Sequence, residues 1–116
     1  MDNIIFTPQI CPVTQTTDLI RGKWKPIILY LVENEINRFG LLVKRMPNVS
    51  KKVLTQQLRE LESDGLLERD IQIAQPPQKV IYRLTEKGSA LRRLIEQIFD
   101  WGVTYGMVND TKKPDA

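Results

Sequence analysis

The sequence predicts an α+β fold that is mostly helical. Apolar residues recur at helical spacing through most of residues 13–64, and they alternate with polar residues over residues 67–84. A final run from Thr85 to Gly106 returns to helical spacing. The spacing of apolar residues changes from a period of 3.6 residues to one of 2 residues and back, which predicts two strands between helices.

The composition fits one globular domain. The chain has 116 residues, of which 41% are hydrophobic and 27% are charged, and its formal net charge is +3. This length suits one domain and is too short for two, and the charge permits binding to a polyanion without requiring it. We assign residues 11–105 to the domain, residues 1–10 to an N-terminal arm and residues 106–116 to a flexible tail.

The start of the chain carries no pattern typical of export. Residues 1–10 lack the basic start and continuous apolar core of a secretion signal. No apolar run approaches the roughly 20 residues that cross a membrane. We therefore expect a cytoplasmic protein with no membrane partner.

The residue types present exclude several kinds of chemistry. Histidine is absent and Cys11 is the only cysteine, so the usual zinc sites, His-activated nucleophiles and an intrachain disulfide cannot be assembled. Glu60, Glu62 and Asp64 are close in sequence, but such spacing is more typical of a solvated helix face than of an acid–base pair. The sequence therefore predicts that the protein is not an enzyme and uses no metal or cofactor.

Two short helices are predicted in the first third of the domain. A face of the first one, which ends at Gly22, is shared by Val13, Thr17 and Ile20. The second begins at Trp24 with Pro26 in its first turn, where a missing N–H costs nothing. Residues 34–37 then form a turn that contains one apolar residue, Ile36.

A helix–turn–helix unit follows this turn. Its first helix is marked by apolar residues at helical spacing, namely Phe39, Leu42, Val43 and Met46. Pro47 and Asn48 interrupt the pattern, and a second helix is predicted from Ser50, a good N-cap, to Gly65, which suits a left-handed residue after the last turn. One face of this second helix carries Leu54, Leu58 and Leu61, and the opposite face carries Lys52, Gln56, Arg59 and Ser63.

The remaining elements complete a winged helix-turn-helix with an added C-terminal dimerisation helix. Two alternating stretches joined by a polar tip with Pro76 and Pro77 predict a β-hairpin, the wing. Thr85 can cap the last helix. Its apolar stripe is longer than a small core needs, which predicts burial against a second copy of the chain. We assign the dimer contact to Leu91, Leu94, Ile98, Phe99, Trp101 and Tyr105.

The chain resembles the HxlR-type winged helix-turn-helix regulators of bacteria, which are distant relatives of the MarR-like group. The resemblance extends from about residue 10 to residue 103. It rests on an ordered set of matching residues: Cys11-Pro12-Val13, Gly22-Lys23-Trp24-Lys25-Pro26, Arg38-Phe39, Leu54 to Leu61, Asp64-Gly65-Leu66, Arg69, Pro76-Pro77, Tyr82-Arg83-Leu84-Thr85, Lys87-Gly88 and Trp101-Gly102. It implies a homodimer that binds a pseudo-palindromic operator in double-stranded DNA and usually represses transcription.

The second helix of the unit carries side chains suited to reading bases in the major groove. Lys52 and Arg59 can donate to guanine, Gln56 can pair with adenine, and Thr55 offers a methyl and a hydroxyl group. We expect phosphate contacts from residues at the start of this helix, at the end of the preceding helix and on the wing: Ser50, Lys51, Lys44, Arg45, Arg69, Lys79 and Arg83. The alternative for these residues is an ordinary solvated, charged surface.

Cys11 is the candidate sensor of oxidants or electrophiles, a role that some proteins of the resembled family give to the equivalent cysteine. It precedes Pro12 at the start of a predicted helix, and Arg21, Lys23 and Lys25, nearby in sequence, could stabilise its thiolate. The alternative is a small buried hydrophobic residue.

Two other functions stay open on the sequence alone. The same fold serves as a protein–protein adaptor that does not bind DNA. It also serves as a regulator that binds a small-molecule effector in a cleft of the dimer, which here could be lined by Trp24, Tyr30, Phe99 and Trp101.

Overall fold

The computed structural model describes residues 7–106, which form five helices and one two-stranded antiparallel sheet. The helices are α1 (Pro12–Asp18), α2 (Lys25–Glu33), α3 (Phe39–Arg45), α4 (Lys51–Ser63) and α5 (Glu86–Thr104), and the strands are β1 (Leu67–Ile73) and β2 (Lys79–Leu84). This order and these bounds confirm the α+β, mostly helical winged helix-turn-helix. Residues 1–6 of the N-terminal arm (1–10) and residues 107–116 of the tail (106–116) lie outside the described residues, so those two assignments stay predictions.

The hydrophobic core is built around α2. Ile28 and Leu29 are fully buried, and they pack with leucines from every later helix, namely Leu42, Leu54, Leu58, Leu61 and Leu91. Pro26 lies in the first turn of α2, as the sequence predicts. α2 also holds a buried charged residue, Lys25.

The helix–turn–helix pair forms as predicted. α3 ends at Arg45, and α4 begins after Ser50, whose Oγ accepts a hydrogen bond from the Val53 N–H at 3.1 Å. Gly65 has φ +74°, the left-handed conformation that a residue without Cβ adopts readily. Both ends of α4 are therefore fixed by local sequence.

The wing projects beyond the body of the protein. β1 pairs with β2 from Leu67 opposite Leu84 to Ile73 opposite Lys79. Leu67 is buried, but Ile71 and Ile73 are about half exposed, so the far part of the hairpin has nothing packed over it within residues 7–106. The structure assigns no strand to residues 34–37; instead one hydrogen bond, from the Tyr82 N–H to the Asn37 carbonyl at 2.8 Å, joins this turn to the wing.

α5 starts directly after β2 and is capped by Thr85, whose Oγ accepts from the Gly88 N–H at 3.0 Å. α1 is only seven residues long and buries none of them. Val13 and Thr17, expected on one face with Ile20, are exposed, whereas Ile20 is half-buried against the core. Among the described residues no helix is both long and apolar enough to cross a membrane.

Candidate nucleic-acid interface

The outer face of α4 carries a continuous set of polar and charged side chains. Leu54, Leu58 and Leu61 are at most 1% exposed and hold the inner face of the helix against the core. The opposite face borders an open, shallow concavity of about 600 Å³ that is lined by Lys51, Lys52, Thr55, Gln56, Arg59, Glu60 and Ser63. The structure thus brings together all four residues predicted to read bases, although Thr55 is only half exposed.

Two polar groups at the start of α4 already have partners. The Thr55 hydroxyl donates to the Lys51 carbonyl at 2.8 Å, so the proton that could have reached a base is used within the helix. The methyl group of Thr55 then becomes its main recognition feature, suited to a thymine methyl. Ser50 Oγ accepts the capping bond, which leaves the Ser50 hydroxyl proton for a phosphate.

Glu60 also lines the concavity, although its sequence pattern does not predict a place at the interface. Its Oε2 is 2.9 Å from Nζ of Lys25, whose side chain is only 10% exposed. The bond to Lys25 lowers the pKa of the Glu60 carboxyl, against a smaller opposing effect of burial. The Glu60 side chain is 42% exposed, as expected of a solvated helix face, but it also pairs with a buried residue, which the sequence did not predict. A lysine at the start of the apolar run of α2 is the feature that could have revealed a buried ion pair.

The residues predicted to contact phosphate fall into two groups. Lys44, Arg45 and Lys51 are exposed at the end of α3 and the start of α4, and Lys79 is half-buried at the start of β2. The other group, Arg69 and Arg83, makes ion pairs with acidic neighbours. Arg69 Nε lies 3.5 Å from Glu62, whereas Arg83 pairs with Asp70 and also lies 3.8 Å from Glu68. These two arginines are partly neutralised and less suited to phosphate than the sequence suggests.

The residues of α5 that were predicted to contact a second chain fall into an exposed group and a more buried group. Leu94, Ile98, Trp101 and Tyr105 are between 45% and 67% exposed, and the rings of Trp101 and Tyr105 are 4.8 Å apart. Leu91 belongs to the core of its own chain, and Phe99 is half-buried. For Leu91 the structure favours a place in the chain's own core over a place on the dimer surface.

The cleft proposed for an effector is small in this single chain. A cavity of about 120 Å³ lies between α2 and α5, with Tyr30 and Phe99 in its wall but neither tryptophan. Buried Arg92 closes one side, where its guanidinium lies over the Tyr30 ring at 4.8 Å and donates to Glu96 at 2.8 Å. Typical ligand pockets measure about 300–1,000 Å³, so this cavity is below the usual size.

Cys11 lies at the N-cap of α1 and is partly exposed. The backbone N–H of Thr14 and then its hydroxyl act on the thiolate as hydrogen-bond donors and lower the pKa of Cys11. The sequence predicted that nearby cations stabilise the Cys11 thiolate, which was wrong. Lys25 is engaged by Glu60, and the pKa of Cys11 is lowered by Thr14 and Val13.

Within residues 7–106 no three His, Cys, Asp or Glu side chains gather into a metal site.

Comparison with known proteins agrees with this geometry. The model of the HxlR-like helix-turn-helix family matches residues 19–110. An uncharacterized HTH-type transcriptional regulator of Bacillus subtilis, YdeP, is 45% identical over 95 residues, which cover 82% of this chain and 73% of YdeP.

Two solved structures are similar as well. The redox regulator HypR in its reduced form superposes with a TM-score of 0.75 at 40% identity, over 81% of this chain and 92% of HypR. Diamide-treated YodB from B. subtilis superposes with a TM-score of 0.68 at 31% identity, over 83% of this chain and 95% of YodB. With a winged helix-turn-helix fold and a family match over most of its length, the chain belongs to the HxlR-like helix-turn-helix family and is a DNA-binding transcriptional regulator.

Proposed function

We propose that the protein is a homodimeric repressor that reads a pseudo-palindromic operator with α4 and releases it when Cys11 is oxidised. The observation that carries the proposal is the outer face of α4, where Lys52, Gln56 and Arg59 are exposed on a helix whose other face is buried. The major groove admits one such helix, and side chains of these types suit its base edges.

Phosphate contacts would fix the register of α4 in the groove. Lys51 opens the helix, and Lys44 and Arg45 close the helix before it, so all three flank the base-reading face. Lys79 begins the second strand of the wing. Arg69 and Arg83 contribute less in this proposal, because each already neutralises a carboxylate.

Dimerisation is supported by the apolar side chains that α5 exposes. Leu94, Ile98, Trp101 and Tyr105 form a stripe along one side of this helix, and isolated exposed apolar residues would not recur at helical spacing. A two-fold dimer places its recognition helices about 34–36 Å apart, one turn of DNA. The operator should therefore contain two inverted half-sites whose centres are about 10 base pairs apart.

The proposed sensor is Cys11, because its pKa is lowered and it is partly exposed. A regulator named for redox control, HypR, is similar to this chain over most of its length. In the proposed reaction the Cys11 thiols of two subunits lose two protons and two electrons to diamide, whose N=N bond is reduced to a hydrazine. A disulfide between the subunits forms and changes the spacing of the two α4 helices.

One experiment tests base reading, binding as a dimer and release through Cys11 together. The protein is used to select binding sites from a random duplex library, and a mobility shift on the selected duplex is repeated after diamide treatment. We expect inverted half-sites, a salt-sensitive shift, and loss of the shift after diamide that is absent in Cys11→Ser. No salt-sensitive specific shift would favour the adaptor function, and release of Cys11→Ser by diamide would rule out Cys11 as the sensor.

A further inference from the structure

Glu60 is an acid on the surface that faces DNA in the proposed function, beside Gln56 and Arg59. A free carboxylate there would repel phosphate and would add nothing to the basic face. Its partner, Lys25, comes from a different helix, α2, and has a side chain that is 90% buried. Glu60, whose side chain is 42% exposed, is therefore anchored through one carboxylate oxygen to a buried residue of the core.

The Lys25–Glu60 bond holds the carboxylate firmly. A buried ammonium group is costly without an anionic partner, and Oε2 of Glu60 supplies one at 2.9 Å. Lys25 and, more weakly, Arg21 favour the charged form of Glu60, and the side-chain amide of Gln56 does the same. Glu60 is a carboxylate at neutral pH, and its lowered pKa extends the charged form to more acidic pH.

The carboxylate in turn orients two amides of α4. Gln56 Nε2 donates to Oε1 at 3.5 Å, and Gln57 Nε2 donates to Oε2 at 3.4 Å. A carboxylate only accepts hydrogen bonds, so an amide that faces it has to present its nitrogen and not its oxygen. Oε1 of Gln56 and the second N–H of its Nε2 are then left for a ligand.

We propose that Lys25 and Glu60 are positioning residues that select adenine by fixing the side-chain amide of Gln56. The bidentate pair with adenine needs an amide oxygen to accept from N6 and an amide N–H to donate to N7, which are the two groups left over on Gln56. A glutamine amide without such a neighbour can exchange the positions of its oxygen and nitrogen. It therefore discriminates less between adenine and the other bases. The inference rests on the proposed base reading by α4 and extends it to a residue of the core.

The test begins with the half-site selected from a random duplex library by the wild-type protein. Gln56→Ala identifies the base pair whose preference depends on Gln56. The double variant Lys25→Met/Glu60→Ala removes one charge of each sign, so the net charge and the salt dependence of binding stay the same. We expect it to lower the preference for adenine at that base pair about three- to tenfold, because the freed amide can still pair with adenine but no longer presents only the groups that suit adenine.

If Lys25 and Glu60 act through Gln56, their effect on the base preference should disappear once Gln56 is removed. In the Gln56→Ala background the double variant should change the base preference no further. Glu62→Gln is the matched control, because Glu62 is also on α4 and paired with an arginine, Arg69. This control should leave the preference at the Gln56 base pair unchanged.

The outcomes separate the inference from the function on which it rests. Unchanged adenine preference in the folded double variant, or an equal loss in the Gln56→Ala background, would overturn the inference while leaving base reading by α4 intact. Selection of no sequence by the wild-type protein would overturn both. If the double variant does not fold, Glu60→Gln replaces it. In this variant the amide nitrogen at residue 60 faces Gln56 Nε2. Gln56 then has to turn, which should relax the same base preference.

Discussion

Gly88 packs directly against the carbonyl group of Leu66, so closely that a Cβ at residue 88 would be 2.0 Å from the Leu66 oxygen. The same carbonyl accepts the Thr85 N–H at 3.1 Å, and the Thr85 hydroxyl donates to the Gly65 carbonyl at 2.5 Å. These contacts join the end of α4 to the start of α5.

Gly88→Ala should therefore destabilise the protein. The added methyl group meets backbone, which cannot rotate away, and overpacking of this kind costs about 1–3 kcal/mol in the free energy of unfolding. Gly40→Ala is the control, because a Cβ at this helical glycine meets nothing within 4 Å and alanine favours helix by about 1 kcal/mol. Urea titrations that gave the two variants equal stability would contradict the close contact.

Lys51→Ala and Arg83→Ala should differ in their effect on the salt dependence of DNA binding. Lys51 makes no ion pair within residues 7–106, whereas Arg83 is paired with Asp70 and Glu68. Loss of a phosphate contact should lower the slope of log K against log salt by about one for Lys51→Ala and by much less for Arg83→Ala. Fluorescence anisotropy over a salt series measures both slopes. A slope that falls by one for Arg83→Ala would show that DNA displaces the acidic partners.

Cys11 should react with iodoacetamide at a lower pH than an unperturbed thiol does. The two hydrogen-bond donors of Thr14 lower the pKa of Cys11, so more thiolate is present at any pH below the ordinary value. The midpoint of the alkylation rate against pH should lie below about 8.5, the usual value for cysteine. Thr14→Val removes the hydroxyl and keeps the backbone N–H, which should raise the midpoint part of the way. An unchanged midpoint in Thr14→Val would remove the hydroxyl from the explanation.

The Lys25–Glu60 bond should give stability that acid removes. The folded pKa of Glu60 is lowered, so its contribution is complete above the unfolded value of about 4.3 and disappears as the pH falls through the folded value. The difference in unfolding free energy between wild type and Glu60→Gln should be constant above about pH 5 and should shrink below it. A difference that does not vary between pH 2 and pH 7 would contradict the ion pair.

Local features of the fold were predictable from the sequence. Ser50 and Thr85 cap their helices, and Gly65 takes a left-handed conformation, because each depends on residues within one helical turn. The buried leucines of α4 followed from the helical period. The same period also predicted the outer face of α4, and thus most of the candidate site.

Features that depend on distant partners were not predictable in this way. Lys25 and Glu60 are far apart in sequence and meet only after α2 and α4 have packed. The pairing of Arg83 with Asp70 depends on the register of the hairpin, which periodicity does not fix. The apolar stripe of α5 likewise did not reveal that Leu91 faces its own core and Leu94 does not.

The central claim, that α4 reads bases, is tested most directly by Gln56→Ala and Arg59→Ala on two duplexes, the selected operator and a random sequence of equal length. Each variant should lose about 1–3 kcal/mol of binding free energy on the operator and far less on the random duplex. Titration of both duplexes at the same salt concentration gives the comparison. Equal losses on the two duplexes would mean that these side chains contact only the backbone, and the claim would be wrong.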